Sequence, residues 1–546
     1  MRNSWRGLAA IIVTVLAAVS FQSHDAQTQG ASCFAATIPG NVQGQDNGSS
    51  CAFLGIPYAA PPLTELRWKP PQPVAPWSPI TRMAITPPPN CLQVNPPGSA
   101  TVTGMEDCLR LNIWTPDPAP ASPAPVIFWI HTGAFVAAGA NNAAHNGRLM
   151  AERTGTIVVA ANYRLGPMGF LAHPALTGEN PGYSSSGNYG LLDQRAALAW
   201  VRDNIAAFGG DPDNITIAGQ SAGGHSVSLH LVSPGSGGMF QRAIMQSGYA
   251  SSLWPTLSES ESVGASLAAA VGCTNPSEVL ACLRAKPRND IMLALPTGQQ
   301  QWAETPRASW GPVVDGLEIP DQPRRLYEDG TFNRVPLIIG ATRDEGWIYA
   351  DRSYPSGLTE SEYHNAVSSE FGDAEAPAIL ARYPAASFRS PKHALSQIAG
   401  DVEAVCEVRR VAGLVSRTGT RVYMYSFERE VAAVAGDQVI HGIDPNFMFG
   451  NNFVMPIVYA LNPEERALSN SIMDYWTRFA ATGDPNGGES LKWHPVRAPQ
   501  GIGDGAARYL ILDLPFRKGV RLRQEQCEFW DQQFLRSIVG SVPAGK

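Results

Sequence analysis

Short runs of apolar, mostly β-branched residues recur along the chain, separated by longer stretches with a single apolar face. Val126-Ile127-Phe128-Trp129-Ile130 follows a Pro-rich turn, and Thr156–Ala160, Ile215–Ala218, Arg242–Met245, Val335–Ile339 and Val422–Phe427 repeat the pattern. Such short runs, apolar at successive positions, predict strands buried on both faces. Between the second and third runs, Tyr189–Phe208 sets Leu191, Leu192, Ala196, Leu198, Ala199 and Val201 on the apolar face of a helix. Strand–helix–strand order predicts an α/β chain, with a large, mostly parallel sheet flanked by helices.

Two stretches break this rhythm. Residues from about Trp254 to Pro336, and from about Leu358 to Arg417, are helix-like and bounded by prolines. They read as helical insertions that cap a site, since no Gly/Ser linker or charge block marks a domain boundary. The expected organisation is a leader over residues 1–26 and a single domain over 27–546. In the leader, Arg2 and Arg6 precede the uncharged, mostly apolar Gly7–Phe21, and small residues allow cleavage after Ser20 or Ala26. That apolar run is shorter than the roughly 20 residues a spanning helix needs. The expectation is therefore a cleaved signal with no stable membrane insertion, and a secreted or periplasmic product.

Composition narrows the function classes. The chain is 44% hydrophobic and 16% charged, which excludes a disordered chain. Net charge is −7 and no Lys/Arg run occurs, which argues against a nucleic-acid partner. Eight cysteines behind a leader predict disulfides in an oxidising compartment. No CxxC or HExxH is present, so neither a metal nor any other cofactor is expected.

Gly219-Gln220-Ser221-Ala222-Gly223 sits between the strand-like Ile215–Ala218 and a plausible helix over Ala222–Val232. A sharp strand-to-helix turn needs small residues on either side and projects the central hydroxyl above the sheet, near a helix N-terminus. Such a serine needs a base, and the base needs an orienting group, before it attacks an ester. The pentapeptide alone also fits a Gly-rich turn with an ordinary N-cap serine.

The wider sequence resembles the type-B carboxylesterases, the cholinesterase and p-nitrobenzyl-esterase group of α/β-hydrolases. The resemblance runs in order over most of residues 35–530. It is carried by Phe53–Ala59, Glu106–Ile113, Asn162–Gly166, Gly187–Arg195, Phe208–Pro212, the elbow, Gln246–Gly248, Asp344–Gly346, His441–Gly442 and Phe479–Asn486. It implies an α/β-hydrolase fold and a cofactor-free serine esterase acting on small-molecule esters. It also implies Ser221 as nucleophile, Glu345 as acid and His441 as base, with Asp344, otherwise a surface loop charge, as the rival acid. The implied oxyanion donors are the N–H groups of Gly133, Ala134 and Ala222. Relatives carry three glycines where this chain has Thr132-Gly133-Ala134, so the Ala134 methyl is expected to crowd the site and restrict the backbone. His131 is expected to shape that loop. Ser247 either supports the triad or fills a strand end. The implied disulfides are Cys91–Cys108, Cys273–Cys282 and Cys406–Cys527, leaving the pairing of Cys33 and Cys51 open.

Two departures bear on substrate. Gln220 stands where many relatives have Glu, and the Cys91–Cys108 loop lacks the Trp with which cholinesterases hold choline. Both point away from choline esters, and a neutral Gln220 is more tolerant of anionic acyl groups. Tricarballylate half-esters are one such class, which some bacterial relatives cleave from mycotoxins of the fumonisin kind. The alternatives are a non-catalytic adhesion module on the same fold and a lipase for long-chain esters.

Overall fold

The computed structural model describes residues 33–96, 98–248, 251, 253–295, 310–431, 438–452, 459–488, 490–496 and 508–541. The expected leader, residues 1–26, lies outside them. Eleven strands form the main sheet: β1 (Gln45–Asp46), β2 (Ser50–Pro57), β3 (Arg110–Pro116), β4 (Ala124–Ile130), β5 (Ile157–Ala161), β6 (Gly210–Gln220), β7 (Arg242–Gln246), β8 (Leu337–Thr342), β9 (Val422–Phe427), β10 (Arg508–Leu512) and β11 (Arg517–Val520). Their spatial order is β1-β2-β3-β5-β4-β6-β7-β8-β9-β10-β11. The seven strands from β5 to β10 run parallel. Antiparallel strands close both sides.

All six apolar runs fall on central strands. The strands missed by periodicity are β1, β2, β3, β10 and β11, which lie towards the edges, where pairing rather than a continuous apolar run defines them. The central strands bury both faces. Val126, Phe128 and Ile130 join one core cluster, while Ile127 and Trp129 join the other. The first cluster takes in Leu191, Leu198 and Val201 of helix α1 (Tyr189–Asn204), and the second Leu468, Ile472 and Phe479 of a later helix, Pro463–Thr482. The helical run expected over Tyr189–Phe208 is α-helical to Asn204 and 3₁₀ over Ile205–Phe208, ending at Gly209 with φ 83°.

The described residues of the two insertions are largely helical. Residues of the second, with Cys527 and Trp530, form a third core cluster that includes Tyr363, Val367, Leu395 and Ile398. Disulfides join Cys91–Cys108, Cys273–Cys282 and Cys406–Cys527, and Cys33 pairs with Cys51. From Cys33 onward the chain is one compact unit. Among the described residues, no helix is long and apolar enough to cross a membrane.

The sheet reverses its order at β4. From β4 the chain steps outward to β5, then returns to place β6 on the other side of β4. A crevice opens at the carboxyl ends of strands at such a reversal. Gly219 of β6 pairs with Ile130 of β4, so the segments leaving these two strands start side by side.

Candidate active site

The turn after β6 is held by backbone contacts that admit only glycine on either side of Ser221. A Cβ on Gly219 would lie 2.4 Å from the backbone of Gly223, and one on Gly223 would lie 2.0 Å from the Ile130 carbonyl oxygen. Ser221 takes φ 56°, ψ −123°, a conformation that side-chain-bearing residues rarely adopt. Its N–H donates to the Gln246 carbonyl at 3.0 Å, and its own carbonyl accepts from His225 N–H at 2.8 Å. Helix α2 (Ala222–Val232) begins at the next residue. Among the described residues, the Ser221 hydroxyl has no hydrogen-bond partner.

Glu345 lies three residues past the end of β8 and is 2% exposed. Its Oε1 accepts from Thr342 N–H at 2.6 Å and from Ser247 Oγ–H at 2.6 Å. Its Oε2 accepts from His441 Nδ1–H at 2.5 Å. Burial alone would raise the carboxyl, but His441 and these donors outweigh it and hold Glu345 below its ordinary value. Burial lowers the His441 imidazole, and Glu345 reverses that, leaving it above its ordinary value. Ser247, which donates to Glu345, holds φ 48° just past the end of β7.

The His441 segment is clamped on both sides. Before it, Asp344 Oδ2 accepts from Val439 N–H at 2.8 Å, and Asp344 N–H donates to the Val439 carbonyl at 3.1 Å. Arg343 Nε donates to the same carboxylate at 3.0 Å, and His393 Nε2 stands 3.7 Å from its other oxygen. Asp344 is 4% exposed, which corrects the reading of it as a surface loop charge. It is bonded to the chain just before the histidine, while Glu345 bonds the imidazole itself. After His441, Asp444 opens helix α3 (Asp444–Phe449), and its Oδ2 accepts from Tyr425 O–H at 2.6 Å and Gln246 Nε2–H at 2.9 Å.

These partners come from strand register. Gln220, Gln246, Gly340 and Tyr425 pair in line across β6, β7, β8 and β9, so their side chains share one face of the sheet. A Cβ on Gly340 would lie 2.2 Å from the Tyr425 ring, so the glycine lets that ring lie across β8. In the same layer, Gln220 Nε2 lies 3.1 Å from His441 Nε2.

The loop after β4 is tightly wound. Gly133, Ala134 and Phe135 have φ 113°, 53° and 62°, and the Gly133 carbonyl accepts from both Val136 and Ala137 N–H. A Cβ on Gly133 would lie 2.1 Å from the Ala137 oxygen. Ala134 holds a left-handed conformation that an alanine reaches only under constraint. Among the described residues, the N–H groups of Gly133, Ala134 and Ala222 are not taken by any acceptor. His131 stacks on Tyr163 at 4.2 Å between ring centres, and its Nδ1 contacts the Thr132 carbonyl at 2.7 Å. Burial pushes its imidazole down to about 4, so it is a neutral brace for the loop.

The chain matches the model of the carboxylesterase family over residues 30–530. It belongs to that family. This carboxylesterase-family chain is also 33% identical over 551 residues to acetylcholinesterase from Bungarus fasciatus, an alignment covering 93% of this chain and 87% of that relative. It is therefore a carboxylic ester hydrolase of the serine type with an α/β-hydrolase fold.

Asp444 and His225 were not singled out in the sequence. His225 is buried one helical turn after Ser221, with ring centres 6.0 Å from Phe135 and 5.6 Å from Trp254. Burial, with His441 nearby, pushes it down to about 3. The i, i+4 spacing from Ser221 was the available signal. For Asp444 the signal was only its place three residues after His441, because its partners arrive through strand register.

Burial pushes the Asp444 carboxyl up to about 6, against the pull of Tyr425, and Glu345 adds to the rise. A carboxyl raised in the folded state favours folding most below its unfolded value of 3.8. That contribution is lost as pH rises through 6. Asp444→Asn keeps an acceptor for Tyr425 and Gln246. It is expected to raise stability at pH 8 by up to about 3 kcal/mol and to give no gain below pH 4. Urea unfolding of both proteins at the two pH values checks this, and an equal difference at each would contradict it.

Proposed function

We propose that this protein is an exported esterase that works through an acyl-enzyme on Ser221. The observation that carries the reading is the Glu345–His441 hydrogen bond. With Nδ1–H committed to Glu345, the lone pair of neutral His441 sits on Nε2, on the side of the Gln220-Ser221 turn. In this mechanism His441 takes the Ser221 proton as the oxygen attacks the ester carbonyl, and Glu345 offsets the imidazolium charge. The Gly133, Ala134 and Ala222 N–H groups hold the oxyanion, donors worth about 2.7–4 kcal/mol each in comparable sites. His441 then protonates the leaving alcohol, and the water that it activates next releases the acid. None of these steps needs a metal or organic cofactor.

Preference for anionic, polycarboxylate acyl groups is part of the proposal. It is supported by the neutral Gln220 next to Ser221, while the lack of a Trp between Cys91 and Cys108 argues against a choline ester. Export is supported by the four disulfides, since such bonds persist in oxidising compartments.

Ser221→Ala is expected to abolish the burst of p-nitrophenol from a short-chain ester and to lower kcat at least about 10³-fold. A retained burst would remove Ser221 from the mechanism. In a panel of matched esters, kcat/KM for a tricarballylate half-ester is expected to exceed that for the butyrate ester. The reverse order would overturn the anionic preference while leaving the mechanism intact. Expressed in a host with a secretion pathway, the exported chain is expected to begin after Ser20 or Ala26. N-terminal sequencing checks this, and an intact Met1 would contradict it.

A further inference from the structure

Gln220 ends β6 with its side chain directed by register onto the same face as Gln246 and Tyr425. It is 1% exposed, and its amide sits 3.1 Å from His441 Nε2. That nitrogen is the one that must receive the Ser221 proton. Because His441 gives Nδ1–H to Glu345, its Nε2 carries a lone pair at rest, so the group facing it is the N–H end of the amide. The Ser221 hydroxyl, one residue along, has no partner among the described residues. Gln220 thus occupies the lone pair for which the nucleophile must compete.

Once His441 is protonated, Nε2–H becomes a donor and an amide N–H opposite it is repelled. A half-turn about the last side-chain bond exchanges the amide nitrogen for its oxygen. A Cβ built on Gly442, where φ is 87°, would touch the Gln220 amide, 3.8 Å from Nε2 and 3.9 Å from Oε1, so the glycine keeps any side chain off that side of the amide. A carboxylate at this position can accept but cannot donate, so it would engage only the protonated imidazole.

We propose that Gln220 is a two-state positioning residue for His441, donating its amide N–H to the neutral imidazole at rest and turning to accept from Nε2–H when the imidazolium forms. The proposal rests on His441 acting as the base, and it deepens that reading. The charged groups facing His441 are Glu345, Asp444 and Glu403, and His225 faces it as a buried neutral imidazole. These are common to the wild type and to each variant below.

A hydrogen bond to a charged group is stronger than one between neutral groups. Removing the amide therefore costs the imidazolium more than the neutral ring. Gln220→Met, of similar length, is expected to lower the resting pKa of His441 by about 0.5–1 unit, read from the Nδ1–H and ring resonances by NMR. It is also expected to lower kcat five- to tenfold with KM nearly unchanged. Gln220→Glu restores the acceptor. It is expected to raise that pKa and, at pH 9, to bring kcat back to within twofold of wild type. An amide that only donates at rest would give the opposite sign, so a raised or unchanged pKa in Gln220→Met overturns the proposal. So does a Glu variant no faster than the Met variant. If Gln220→Met does not fold, Gln220→Leu takes its place with the same expectations. The NMR readout needs no turnover, so failure here is separate from failure of the Ser221 acyl-enzyme, which Ser221→Ala tests.

Discussion

The site depends on keeping one carboxylate ionised where water does not reach. An isolated charge in a protein interior is heavily penalised, and the penalty is relieved only by donors brought to it. Glu345 has three, from Ser247, Thr342 and His441, at 2.5–2.6 Å. Thr342 is local, but Ser247 and His441 are each nearly a hundred residues away. Satisfying the buried charge is thus what draws two remote loops to the acid. The same bond fixes the imidazole tautomer, and with it the direction in which the lone pair points.

The sheet supplies the second constraint. Its order reverses at β4, so the Gly133-Ala134 loop and the Ser221 turn leave from paired residues, Ile130 and Gly219. Gln220, Gln246 and Tyr425, in line across the strands with Gly340 between the last two, then form a polar layer that bonds His441 and Asp444. Helix α3 is anchored to that layer through Asp444, and the His441 imidazole through Gln220. Strand positions thus share with the loops after β7 and β8 the task of holding His441, and rigid elements of this kind suit sub-ångström geometry.

Much of this was legible before any coordinates. The central strands announce themselves because both faces are buried, so that every residue from Val126 to Ile130 is apolar. The edge strands do not, because β2 and β3 are recognised by pairing and β11 carries Arg517 and Lys518. Glu345 and His441 stood out through family resemblance and chain order, since nothing local marks a pair 96 residues apart. Asp344 was misjudged because an acidic residue in the charged run Arg343-Asp344-Glu345 looks like a loop charge. Its burial follows from backbone bonds to Val439, which no local pattern encodes. The contacts of Gln220 and Asp444 were out of reach for a similar reason. They exist only once four strands are placed in register and a glycine lets Tyr425 lie across its neighbour.

The Cys406–Cys527 disulfide closes a loop with a sequence separation of 121. His441 lies inside that loop, whereas Ser221 and Glu345 lie before it. A protease that nicks the chain anywhere between the two cysteines therefore leaves the segment bearing the imidazole covalently tied to the segment bearing the hydroxyl and the carboxylate. Cleaved molecules would run as one species on a non-reducing gel and as two after thiol treatment. Endurance after a cut then rests on a tether that survives backbone damage.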